Sequence, residues 1–200
     1  MIDINVTKFP IVIISSARCG STVLGEYLAN KHNLTFYNEP DLFARDSSNI
    51  RHNEFLQFIN QDYKKNDYVL KVMSDIIESN IYPTDTKLRI LSNSCYKIKI
   101  IRNKIAEQIA SFYVARNRGN WAYTNVNVNE DKFNMDIALN INEITHCIKR
   151  ITYQNNIVKS LETDLTLVYE DFSRIESRFK KTPQPSNYDE LLENISRLLQ

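Results

Sequence analysis

Four consecutive β-branched residues, Ile11, Val12, Ile13 and Ile14, stand out of an otherwise mixed chain. A continuous apolar run predicts a strand buried on both faces, as in a parallel sheet, where a half-solvated strand would alternate. The run breaks at the polar stretch Ser15 to Gly20. Val23, Leu24, Tyr27 and Leu28 then recur at helical spacing, which predicts a helix from Ser21 to His32. The same rhythm continues down the chain. Leu34 to Tyr37 reads as a short strand stopped by Pro40, and Ile50 to Tyr63 as a helix through Phe55, Phe58 and Ile59. Tyr68 to Met73 is a strand whose one charge is Lys71. A short helix follows over Thr84 to Ser94, then a strand over Tyr96 to Ile101. Lys104 to Arg116 is a helix that Gly119 can cap. From Asp136 onward, Ile137, Ile141, Ile144, Ile148 and Ile151 alternate steps of four and three, a long amphipathic helix running on through Val158 and Leu161. Leu165 to Tyr169 is a fifth strand, Glu170 to Phe172 a short helix, and Asp189 to Leu199 a closing helix. Strands separated by helices imply an α/β fold: three layers, a mostly parallel central sheet with helices on both faces, and ligands at the carboxyl ends of the strands.

Composition narrows the function classes. A length of 200 residues suits a single domain, 1–200. The net charge of +1 makes no case for a nucleic-acid surface. No apolar run approaches the roughly 20 residues of a membrane span. The first residues lack the basic and long apolar regions of a secretion signal, so a cytoplasmic protein is expected. Cys19, Cys95 and Cys147 form no CxxC pair and are odd in number, which predicts neither a zinc site nor a disulfide framework.

Candidate chemistry concentrates after the first strand. A helix that opens directly from a strand-end loop presents the unpaired N–H groups of its first turn to that loop, a geometry that binds anions. The chain has only three glycines, and two are Gly20 in this loop and Gly25 one turn into the helix. Gly20 is expected to let backbone approach a phosphate, and Gly25 to let helix and sheet pack closely. A Walker A loop needs Lys before its Ser/Thr, and Gly20 fills that slot. A dinucleotide fingerprint needs three spaced glycines, and a tyrosine-phosphatase loop needs Arg six residues after its Cys, where Gly25 stands. The cation left is Arg18, whose guanidinium can grip two oxygens. The plainer reading is an ordinary strand-to-helix turn with a surface arginine.

The run Ser16-Ala17-Arg18-Cys19-Gly20-Ser21-Thr22 resembles the 5′-phosphosulfate loop of sulfotransferases that use 3′-phosphoadenosine 5′-phosphosulfate (PAPS). Arg102, at a strand end, and Ser111, nine residues on, resemble that family's 3′-phosphate site. With Gln108, Ala115 and Trp121 they are similar in spacing to the bacterial trehalose 2-sulfotransferase branch. On the Lys104 helix, Ile105, Ile109 and Phe112 are expected to pack, leaving Gln108, Ser111 and Ala115 on a free face. The Leu167 to Phe172 segment looks like the family's Tyr-Glu-Asp element, and Lys71 sits on a strand whose lysine reaches the active site there. Two departures are Cys19, where the family has Ser or Ala, and Leu42, which has Asp41 beside it in this chain and stands where the branch has a second acid.

The resemblance implies a P-loop NTPase-like sulfotransferase fold and transfer of a sulfuryl group from PAPS to an acceptor hydroxyl, of a sugar or glycan, without a required metal. Glu39, 21 residues after Arg18 as in tyrosylprotein and trehalose sulfotransferases, is the expected base, with Asp41 and His52 as alternatives. Arg18 and Lys71 would stabilise the bridging oxygen. Arg18, Cys19, Gly20, Ser21 and Thr22 would hold the 5′-phosphate, and Arg102 and Ser111 the 3′-phosphate. The plainer reading of Glu39 is a loop carboxylate paired with Lys or Arg. Loops at Ser47 to Asn53 and Asn125 to Asn134, with Trp121 and Tyr123, are candidate acceptor borders, and Lys180 and Lys181 a basic loop. Two other functions fit the same residues: a nucleotide kinase-like phosphotransferase, or a nucleotide-binding protein without turnover.

Overall fold

The structure, a computed structural model, describes residues 4–40, 52–119, 135–172 and 184–200. In chain order its elements are β1 (Ile11–Ser15), α1 (Ser21–His32), β2 (Thr35–Asn38), α2 (His52–Asn60), β3 (Tyr68–Met73), α3 (Ser74–Glu78), α4 (Thr84–Leu91), β4 (Tyr96–Ile101), α5 (Ile105–Arg118), α6 (Ile141–Ser160), β5 (Leu165–Val168), α7 (Tyr169–Phe172) and α8 (Tyr188–Leu198). They fall into two compact units, Met1–Ile101 with Gln154–Ile175, and Arg102–Tyr153 with Glu176–Gln200.

The first unit is an α/β sandwich built on one five-stranded, all-parallel sheet in the order β2-β3-β1-β4-β5. β1 lies at its centre, which is why its run is apolar without alternation: every residue from Ile11 to Ser15 is buried. Its side chains alternate between two cores. Ile11 and Ile13 join Leu24, Leu28 and Ala29 of α1, with Phe172 of α7. Val12 and Ile14 join Phe55 and Phe58 of α2, with Ile90 of α4, on the opposite face. Helices therefore cover both faces.

Two lysines, Lys97 and Lys99, alternate with the isoleucines of β4, and both are tied down at helix ends. Lys97 donates to the carbonyl of Leu91 at 3.1 Å, and Lys99 to that of Leu161 at 2.8 Å. Each ammonium thus satisfies carbonyls left open near the C-terminal end of a helix, α4 or α6, where a cation is favoured.

The expected boundaries of α1, β3 and β4 match the structure, while others shift for visible reasons. α6 begins at Ile141 and not near Asp136, because Asn140 caps it: its Oδ1 accepts from the N–H groups of Asn142 and Glu143 at 3.0 and 3.2 Å. Ile137 lies before the helix, its backbone held by the Asn187 amide. The short α3, which follows β3 directly, has no counterpart among the expected elements.

In the second unit α5 packs on α8. Gly119 ends α5 at φ 62°, as its position predicts. The expected free face of α5 is not free. Gln108 and Ala115 are both fully buried, as are Ile109 and Tyr113. Helical spacing showed which residues share a stripe; it could not show that a second stripe is covered as well.

Candidate functional site

The carboxyl ends of β1, β2 and β3 bring the candidate residues of the first unit together, and strand register explains how. Asn38, the last residue of β2, pairs with Lys71 of β3, so Glu39 leaves the sheet beside Lys71. The Glu39 N–H continues the ladder by donating to the Lys71 carbonyl at 3.1 Å. Lys71 has the same strand parity as Val69, whose side chain faces α1. Its ammonium accordingly donates to Thr22 Oγ1, in the first turn of α1, at 2.7 Å and forms an ion pair with Glu39 Oε1. The two side chains are only 9% and 14% exposed. Three sequence-predicted residues from three elements thus meet at one ammonium. The plainer reading of Glu39, a carboxylate paired with lysine, is also met by this contact.

Backbone conformation singles out Glu39 again, together with Arg18. Arg18 and Glu39 have φ of 63° and 48°, and the third non-glycine residue with positive φ among the described residues is Asn33. Asn33 caps α1, a common place for asparagine. A left-handed conformation costs other residues about 1–2 kcal/mol, and such strain collects at functional sites.

The loop between β1 and α1 is fastened at several points. Ser15 Oγ donates to Ser21 Oγ at 2.9 Å, joining strand end to helix start in a buried bond. Ser16 Oγ donates to Asn155 Oδ1 at 2.6 Å, so the 3.2 Å contact between Ser16 and Cys19 is a thiol S–H donating to the serine oxygen. Cys19 is fully buried, and this bond accounts for a thiol in a slot that the resemblance gives to Ser or Ala. Its side chain belongs to the core; only its backbone can serve an anion. Ala17 N–H donates to Gln154 Oε1 at 3.0 Å. Gly20, the N-cap of α1, has φ 70°, and among the described residues it makes no side-chain cap bond, so the N–H groups of the first turn could serve a ligand.

The two glycines serve packing first. A Cβ at Gly20 would lie 2.8 Å from the Tyr169 ring, and one at Gly25 2.3 Å from the ring of Phe36. The second contact is the close helix-to-sheet approach expected of Gly25. The first shows that Gly20 makes room for an aromatic ring of the protein itself.

Gln154 and Asn155 are the residues that sequence reasoning missed. A signal was present: they continue the buried stripe Ile144, Cys147, Ile151, Val158 of α6, and two amides inside an apolar stripe call for partners. In the second unit, Arg102 directly follows β4 and its guanidinium lies 3.5 Å from Glu107 Oε2, while Lys104 reaches Glu107 Oε1 at 3.0 Å. Ser111 sits half-buried on the second turn of α5. His52 opens α2. Asp41, Leu42, Trp121, Tyr123, the 125–134 loop, Lys180 and Lys181 lie outside the described residues. Among the described residues, no three His, Cys, Asp or Glu side chains cluster as a metal site would need, and no helix is long and apolar enough to cross a membrane.

No protein-family model matches the chain, and no curated protein matches it. Similar solved structures include an uncharacterized protein from Eubacterium ventriosum (TM-score 0.40, 13% identity, 96% of this chain and 99% of that one). Others are shikimate kinases from Bacteroides thetaiotaomicron (0.46, 10%, 94% and 98%) and Aquifex aeolicus (0.39, 12%, 95% and 96%).

Proposed function

We propose that the chain transfers a sulfuryl group from PAPS to an acceptor hydroxyl, of a sugar or glycan. The observation that carries this reading is the buried Glu39–Lys71–Thr22 cluster beside a loop without a Walker lysine. A cation is needed where charge develops on the leaving oxygen, and it comes here from β3 instead of from the loop. The fit to a 5′-phosphosulfate rests on three features: the uncapped first turn of α1, the left-handed Arg18 and the Lys71 ammonium. Loop N–H groups and Thr22 would hold the phosphate, and Arg18 and Lys71 the bridging oxygen. The Glu39 carboxylate would take the acceptor's proton. The acceptor oxygen then bonds to sulfur as the bridging S–O bond breaks, and adenosine 3′,5′-bisphosphate leaves with the bond's electrons. The roles of Arg102 and Ser111 at a 3′-phosphate, and the choice of a sugar, rest on sequence resemblance.

A second reading is nucleotide kinase-like phosphotransfer. It is favoured by Asp75, two residues beyond the end of β3, the strand next to β1. A carboxylate there suits a magnesium ion on a nucleoside triphosphate. Melting curves separate the two. Adenosine 3′,5′-bisphosphate at 100 times its Kd adds about 2.7 kcal/mol, a rise of roughly 5–10 °C for a chain of this size. Labelled sulfate transfer from PAPS should follow in the wild type and be lost in Glu39→Gln. A rise with magnesium and ATP alone, with ATP turnover, would replace the first reading by the second.

A further inference from the structure

Gln154 is fully buried, and its amide is oriented: Oε1 accepts the Ala17 N–H at 3.0 Å, so the amino group Nε2 is the end left over. That Nε2 is buried and makes no hydrogen bond among the described residues. Its position is also fixed, because the Gln154 carbonyl accepts from Ser74 Oγ at 2.9 Å, at the end of β3, while the neighbouring Asn155 holds Ser16. A buried amide donor without an acceptor is rare and costly in folded proteins, and this one is pinned against the loop that the uncapped start of α1 faces. Such a group is a preorganised donor waiting for an acceptor, and the acceptor that suits this loop is an oxyanion.

We infer that Gln154 is a ligand of the anionic group bound at the Ser16–Thr22 loop, donating Nε2–H to an oxygen of the 5′-phosphosulfate or phosphate. Its nucleotide identity rests on the proposed function; its anion chemistry does not. Gln154 is a binding residue supplied by α6, far from the loop in sequence.

The test compares wild type, Gln154→Glu and Gln154→Met by titration calorimetry with adenosine 3′,5′-bisphosphate and by melting with inorganic pyrophosphate. Glutamate keeps an acceptor for Ala17 and removes the donor; methionine keeps the volume and removes both. The expected result is a loss of affinity of tenfold or more in whichever variant folds, its unliganded circular dichroism unchanged. A variant that melts earlier yet binds either probe as wild type does overturns the inference, because Gln154 then only holds the loop. Wild type that ignores the nucleotide but is stabilised by pyrophosphate through Gln154 keeps the inference and removes the proposed function. Wild type indifferent to both probes overturns both.

Discussion

Replacing Gly20 by alanine separates backbone strain from crowding at the loop. The position has φ 70°, and an added Cβ would meet Tyr169 at 2.8 and 2.9 Å and Phe172 at 3.3 Å. Holding alanine in the left-handed region costs about 1–2 kcal/mol, and forcing one more methyl against packed rings about 1–3 kcal/mol. Alanine's smaller unfolded-state entropy returns about 0.4–1 kcal/mol, so the net destabilisation is about 1–4 kcal/mol. At roughly 3 °C per kcal/mol for a chain of this length, Tm should fall by about 3–12 °C. The assay is urea unfolding of Gly20→Ala in the wild-type background and again in Tyr169→Ala. With the ring removed, most of the crowding cost disappears and the cost of the same substitution should drop to the dihedral share. An equal cost in both backgrounds would refute the crowding argument, and a stabilised single variant would refute the whole of it.

Other outcomes can be checked alongside. Gly25→Ala sets a gain of about 1 kcal/mol in helix propensity against about 1–3 kcal/mol of overlap with Phe36; it should destabilise the wild type and become neutral or stabilising in Phe36→Leu, which lacks the ring atoms at 2.3 and 2.4 Å, as melting curves of the four proteins will tell. Burial raises the Asp62 carboxyl, but hydrogen bonds from Lys65, Tyr37 and Gln57 outweigh it and hold it below its ordinary 3.8. Its stabilising share is therefore present above about pH 4 and is lost as pH falls through the folded value, so Asp62→Asn should flatten the acid limb of a stability profile. All three thiols are buried, and burial pushes Cys147 up to about 11. A thiol reagent at pH 8 should label none of them rapidly until urea is added, and any fast native reaction contradicts the packing.

What the sequence disclosed follows from the range of the interactions involved. β1 and α1 are local patterns, and both were legible in Ile11 to Leu28. Glu39 and Lys71 were legible as candidate chemistry, but their meeting depends on the Asn38–Lys71 register, which pairs residues 33 positions apart in the chain. The burial of Gln108 was hidden because it depends on packing that helical spacing does not reveal, and the Cys19 contact could not be understood before Asn155 was known to accept the Ser16 hydrogen bond. The start of α6 was misplaced because the isoleucine period runs on through Ile137, whereas the Asn140 cap decides where the helix begins.

The loop's fasteners bear on the order of events during synthesis. Ser16 and Ala17 bond to residues 139 and 137 positions later, and Gly20 packs against Tyr169. When β1 and α1 leave the ribosome, none of these three distant partners of the loop has yet been made, and contacts of such long separation close late. A nascent or C-terminally shortened chain should therefore build much of the sheet without the contacts that fasten this loop, which takes its final shape only once residues 154, 155 and 169 have been made.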